Sequence, residues 1–221
     1  MSDYIIRLYK DCDYDRVREL FAEGTLEHTR VAFKHGLSLT NIRIFLLAVF
    51  LVPFFITGSL TLSLVVLLLV FIAMWFGTRD LYDSYVRHSL SSDMMDIQKY
   101  YLQRDGYCFW VAESLGEVVG MVVAIPSAHA GGENHIELRR MSVAQSHRGK
   151  GIAKALCRTV IDFARNRGCS AVVLETTLGH QAAHGLYKSM GFKWQHETFL
   201  KHPLAKFVDF KFLFYKYDIQ M

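Results

Sequence analysis

The chain lacks several features that would place it quickly. Its 4 cysteines, Cys12, Cys108, Cys157 and Cys169, are scattered and form no C-x-x-C pair. That argues against a disulfide framework and for free thiols in a reducing compartment. Charge of one sign is scarce: 25 Lys+Arg against 21 Asp+Glu leave +4. This is too weak for a dedicated nucleic-acid binder, although a local basic patch can still hold an anion. There is no N-x-S/T sequon, but with only 3 Asn its absence decides little. The opening MSDYIIRLYKDCDYD carries charges where a signal peptide needs an apolar run. The most telling gap is a charge-free stretch of 33 residues from Ile44 to Phe76. No ordinary core helix is that long and that apolar.

Around this stretch the sequence reads as a mixed α/β enzyme. Residues 4–9 alternate and suit a strand. Asp11 or Asp13 can cap a helix running to about His35. Beyond the apolar run, Ser91-Ser92-Asp93 resembles an N-cap cluster for a helix of about three turns, stopped by Gly106. Residues 107–114 and 117–126 read as a hairpin with a tight turn at Leu115-Gly116-Glu117. A strand over 135–143 leads into a glycine-rich turn and a helix over 149–167 with one buried face. Then come a strand at 171–176, a short helix at 180–190 capped by Gly191, and two further strands.

The strongest local signal is Arg148-Gly149-Lys150-Gly151-Ile152-Ala153, between strand and helix. A glycine-rich turn opening a helix presents free backbone N–H groups and the positive end of the helix dipole. Glycine lets the backbone approach an anion closely, and Arg148 and Lys150 add formal charge. A pyrophosphate is the natural guest. The turn has neither the Lys-Ser/Thr of a P-loop nor the GxGxxG spacing of a dinucleotide fold. His180 and His184 stand at i, i+4, a metal-chelating spacing, but no third ligand is apparent and no metal is expected.

The run MSVAQSHRGKGIAKALCRTVIDFA resembles motif A of the GCN5-related N-acetyltransferases (GNAT), with Arg148, Gly151 and Ala153 on its signature. LYKSMGF at 186–192 resembles the family's second signature. An apolar pair of segments, then Asp93-Met94, Asp96-Ile97, Tyr101-Leu102 and CFWVAES, is similar to the camello branch of membrane-bound N-acetyltransferases, which includes cysteine S-conjugate N-acetyltransferases and lysine acetyltransferases of the secretory pathway. This resemblance implies a single GNAT-type mixed sheet flanked by helices, with an inserted helical membrane hairpin after the first helix. It implies acetyl-CoA as co-substrate, held by Met141, Val143, Arg148, Gly149, Lys150, Gly151 and Ala153, with backbone N–H groups near Met141 to Val143 polarising the thioester.

Transfer to an amine needs a base, because a lysine-like amine has a pKa of about 10.4. The resemblance points to Glu137 as that base and to Tyr187 as the acid near the sulfur. His135, on the same strand face, and Glu175 are further candidates for the base. Read without the family, Glu137 is equally a solvated strand residue and Tyr187 an aromatic packed on the sheet. The expected activity is acetyl transfer to a primary amine, a cysteine S-conjugate or a protein lysine, in a ternary complex. A non-catalytic membrane adaptor with the same fold is the alternative.

The expected organisation is 1–40 for the first strand and helix, 41–80 for the hairpin, and 81–221 for the rest of the acetyltransferase domain. Pro53 and Thr57-Gly58-Ser59 divide the apolar run into arms of roughly 13 and 17 residues, each below the ~20 of a full crossing. Because the first strand belongs to the same sheet as the later ones, the ends must lie on one side of the bilayer. Basic flanks place both in the cytosol, at an endoplasmic reticulum or Golgi membrane. Lipid and an amine acceptor are the expected partners, nucleic acid is not, and a homo-oligomer is left open.

Overall fold

The computed structural model describes residues 3–129, 134–177, 181–199, 206 and 209–220. Strand β1 (Ile5–Leu8) and a 3-10 turn precede helices α1 (Tyr14–Leu26), α2 (His28–Ser38), α3 (Thr40–Thr57) and α4 (Leu60–Leu90). Then come β2 (Cys108–Ser114), β3 (Glu117–Pro126), β4 (His135–Val143), α5 (Ile152–Asn166), β5 (Ala171–Thr177), α6 (Gln181–Ser189), β6 (Lys193–Phe199) and β7 (Lys211–Asp218). The seven strands form one sheet in the order β1-β2-β3-β4-β5-β7-β6. Neighbours are antiparallel except β4 and β5, which run parallel.

Side-chain alternation divides the core into two layers. On one face Phe109, Val111, Met121 and Val123 pack beneath α1 and the 94–102 segment, with Leu20, Met94, Ile97 and Tyr101 fully buried. On the other, Trp110 meets Phe163 of α5 at 5.2 Å, and Leu156 and Val160 of α5 are fully buried. A Cβ on Gly120 would lie 3.1 Å from Ile152, 3.2 Å from Leu156 and 3.3 Å from Ala112. Glycine at 120 therefore sets how closely the start of α5 approaches the sheet.

Several expectations need correction. The first helix is interrupted at Glu27, where its carboxylate takes the Arg148 guanidinium at 2.7 Å, and α2 begins as a separate helix. Ser91-Ser92-Asp93 does not cap a three-turn helix. Asp93 turns inward to Arg140 and Tyr101, and only a π-helical turn, Gln98–Leu102, follows. Pro53 lies inside α3 and does not divide the run. The break is at Gly58, left-handed at φ +65, and Ser59, whose hydroxyl accepts the N–H of Leu62. The helices are longer than the apolar arms, 18 and 31 residues, because each continues into polar sequence. Both are long and apolar enough to cross a membrane. α4 passes without a break from exposed leucines at its start to buried Tyr82, Val86 and Ser89 at its end.

Candidate active site

The decisive geometry lies between the two parallel strands. β4 pairs with β5 only over His135–Glu137 against Ala171–Val173. Both strands continue, to Val143 and Thr177, without pairing further with each other. A wedge therefore opens between their C-terminal ends, and the 138–143 edge of β4 faces it without a strand partner. In α/β sheets such a crevice is the usual ligand position.

At the mouth of the wedge sits the glycine turn. Gly149 (φ +79) and Gly151 (φ +83) both take left-handed conformations that side chains resist. The first backbone bond into α5 joins the N–H of Ala155 to the carbonyl of Gly151 at 3.0 Å. The N–H groups of Ile152, Ala153 and Lys154 thus precede the helix's own ladder and point out at its positive end. A Cβ on Gly149 would meet nothing within 4 Å, so the turn is open on that side. Arg148 donates to the Val143 carbonyl at 3.1 Å and to Glu27 at 2.7 Å, bracing the turn against β4 and α1. This open, positively ended cradle fits the pyrophosphate of coenzyme A.

The candidate acid and base lie on opposite faces of the sheet. Glu137 shares the α1-side face with Val173, and therefore with Glu175 and its cross-strand partner Phe214. Its carboxyl is 6% exposed as a residue, with Arg139 at 3.3 Å and His129 at 3.8 Å. Burial raises its pKa, against the pull of Arg139 and His129 and with a push from Glu175. His129 stands 3.8 Å from Glu175 as well, with its ring edge-on to Phe214 at 4.8 Å. His135 shares this face, two residues before Glu137. Tyr187, on α6, is buried on the α5 side against Phe192 and Tyr215. Burial pushes its phenol above the ordinary value, so it stays protonated at neutral pH.

The expected pair His180 and His184 makes no metal site that can be described. His180 lies outside the described residues, and His184 approaches the Tyr215 hydroxyl and the Thr177 carbonyl, each at 3.1 Å. Among the described residues no cluster of three metal-ligating side chains occurs. The sequence reading missed His129, Arg139 and Glu27. His129 follows a strand in an irregular segment and Glu27 sits between helices, so neither carries a periodic signal. It missed Arg140 too. β3 residues Met121 and Val123 pair with Ser142 and Arg139, so β4 holds one extra residue there, and Arg140 takes φ +52.

The model of the acetyltransferase (GNAT) family matches residues 75–192. This chain belongs to the GNAT acetyltransferase family. It is 40% identical over 220 residues to the probable N-acetyltransferase camello of Xenopus tropicalis, covering 100% of both chains. It is 43% identical to N-acetyltransferase 8 of Mus musculus, over 90% of this chain and 88% of that protein. In fold it resembles a GNAT-family acetyltransferase of Staphylococcus aureus, with a TM-score of 0.58 at 16% identity, covering 98% of this chain and 99% of that one. The GNAT chain is an acetyltransferase and its donor is acetyl-CoA. The seven-stranded mixed sheet and the two apolar helices agree with the fold expected from the sequence.

Proposed function

We propose that this protein is a membrane-anchored N-acetyltransferase in which a primary amine attacks acetyl-CoA directly within the β4–β5 wedge. The observation that carries the reading is the wedge itself, with the glycine turn at its mouth, Glu137 on one face and Tyr187 on the other. Met141, Val143, Arg148, Gly149, Lys150, Gly151 and Ala153 hold the donor. Backbone N–H groups near Met141 to Val143 polarise the thioester carbonyl. Glu137 takes a proton from the incoming amine, and Tyr187 supplies one to the departing thiolate.

The acceptor is a small amine with an apolar substituent and a carboxylate, of the cysteine S-conjugate kind. Phe214 supplies an apolar surface against His129, on the face that carries Glu137, and the half-exposed Arg139 a cation on the same face. A protein lysine is the competing acceptor. Purified enzyme in detergent, given acetyl-CoA with S-benzyl-cysteine or a lysine peptide, separates them: turnover on the former alone is expected, and turnover only on the peptide reverses the assignment. Tyr187→Phe is expected to lower kcat by about 10²-fold, and full kcat in that variant removes it from the mechanism.

The hairpin 41–80 anchors domain segments 1–40 and 81–221 to an endoplasmic reticulum or Golgi membrane, with both ends cytosolic. β1 pairs with β2, which supports an arrangement with both flanks on one side. Arg30, Lys34 and Arg43 precede the apolar run, and Arg79 and Arg87 follow it. Phe33 of α2 packs on Phe71 and Trp75 of α4 at 5.2 and 5.1 Å. The stretch of α4 beyond that contact, 60–70, spans about 16 Å, half the ~30 Å hydrocarbon core. That length supports a re-entrant hairpin over a double crossing.

A further inference from the structure

A polar network with a buried ion pair surrounds Arg140, outside the groups assigned above. Arg140 combines a left-handed backbone with a buried charge, two features that are each unfavourable alone. Its guanidinium grips Asp93 at two points, Nε to Oδ2 at 3.0 Å and Nη2 to Oδ1 at 2.8 Å. It donates a third bond to the Tyr85 hydroxyl at 2.7 Å and lies over the Phe21 ring at 4.8 Å. The Tyr101 hydroxyl donates to Asp93 from the other side. These partners come from α1, α4, the segment after α4 and the π-helical turn, and all converge on one residue of β4.

What they hold is the extra residue of β4. Arg140 immediately precedes Met141–Val143, on the strand edge that faces the wedge. Bulges re-aim the residues beside them, and left-handed conformations persist only where surroundings enforce them. Tyr85 belongs to α4, the helix whose other end is the apolar hairpin. We propose that Arg140 is a positioning residue: its contacts with Asp93 and Tyr85 fix the β4 bulge that aims the Met141–Val143 backbone at the thioester. The inference rests on the wedge holding the donor, as proposed above. It makes the end of the anchor helix a structural support of the acetyl site.

The test uses full-length enzyme in detergent, with Asp93→Asn, Arg140→Lys and Tyr85→Phe compared with wild type. Three quantities are measured: kcat, the Kd for CoA, and Tm. The glycine turn that carries the pyrophosphate is separate from the bulge, and Met141 and Val143 are only part of the set that holds the donor, so the Kd for CoA stays within about threefold. Misplacement of the reacting group by about 1 Å can cost 10²-fold, so kcat per CoA-binding site falls by about that factor in Asp93→Asn and Arg140→Lys. Lysine fails because it cannot reproduce the two-point grip. In Tyr85→Phe kcat falls by about threefold or more with Tm nearly unchanged, since the ion pair remains. A purely structural network would lower Tm and leave kcat per CoA-binding site within twofold of wild type, and that result overturns the proposal. A loss of CoA affinity as large as the loss of kcat overturns it too. If Asp93→Asn and Arg140→Lys fail to fold, Tyr85→Phe decides alone, and an unchanged kcat in it is a refutation. A wild-type enzyme without turnover would instead sink the functional reading.

Discussion

Glu137 is held in an environment that suits a base and opposes stability. Its pKa is raised chiefly by burial, so the folded protein prefers the neutral carboxyl. A folded pKa above the unfolded value of about 4.3 gives a contribution that is full below that value and lost as pH rises through the folded pKa. Glu137→Gln removes this liability. The variant is expected to be more stable than wild type at pH 7.5, with the difference shrinking toward pH 4. Denaturant midpoints at the two pH values check this, and equal differences at both would contradict it. The same substitution removes the proposed base, so kcat at neutral pH should fall by about 10²–10⁴-fold. In the wild type kcat/KM should rise with pH through the raised pKa, because the ionised form accepts the proton. A variant at once more stable and less active would place Glu137 among residues whose environment serves reaction rather than folding.

At the scale of elements, the β2–β3 hairpin carries a local conflict. Its two-residue turn is Leu115-Gly116, with φ +52 and +83, the pattern of a type I′ turn. Glycine suits its position, but leucine does not, and the Leu115 side chain is 97% exposed and packs on nothing. A left-handed residue with a branched side chain costs about 1–2 kcal/mol. Asparagine tolerates that conformation and matches the Asn-Gly preference of such turns. Leu115→Asn is expected to stabilise the protein by about 0.5–1 kcal/mol, read as a higher Tm with unchanged kcat. A lower Tm would mean that the exposed leucine has a contact in the native assembly. The turn's position was legible from Leu115-Gly116-Glu117, while its type was not, because leucine is an unusual choice for it. The segment after α4 shows the opposite case. Its Ser-Ser-Asp pattern suggests a cap, but Asp93 meets a buried guanidinium from β4, and that long-range pairing overrides the local preference.

For the whole molecule, two systems share one chain: an apolar hairpin and a sheet whose first strand precedes it and whose remaining strands follow it. α4 joins them as a single helix. Terminal tags at both ends should therefore be digested together by protease added to sealed microsomes, and both should survive only after the orientation is reversed. Protection of either tag would contradict the cytosolic assignment. The 4 cysteines are free among the described residues. Cys157 is buried and its thiol is pushed up to about 12, so it packs as an apolar group and is no nucleophile.

The sequence by itself determined the order of the strands along the chain, the glycine-rich turn that opens α5 and the length of the apolar run. Each is written in local periodicity, in glycines at fixed offsets, or in the simple absence of charge. It also carried the two motifs that resemble the family. Only the tertiary structure decided that β4 and β5 part company after Glu137, that Glu137 and Tyr187 stand on opposite faces, and that Arg148 braces against Glu27. It alone decided that Arg140 is a buried anchor rather than a surface charge. Pairing that stops partway along two strands, and ion pairs 47 and 121 residues apart, depend on packing between distant segments. No window of neighbouring residues contains that information.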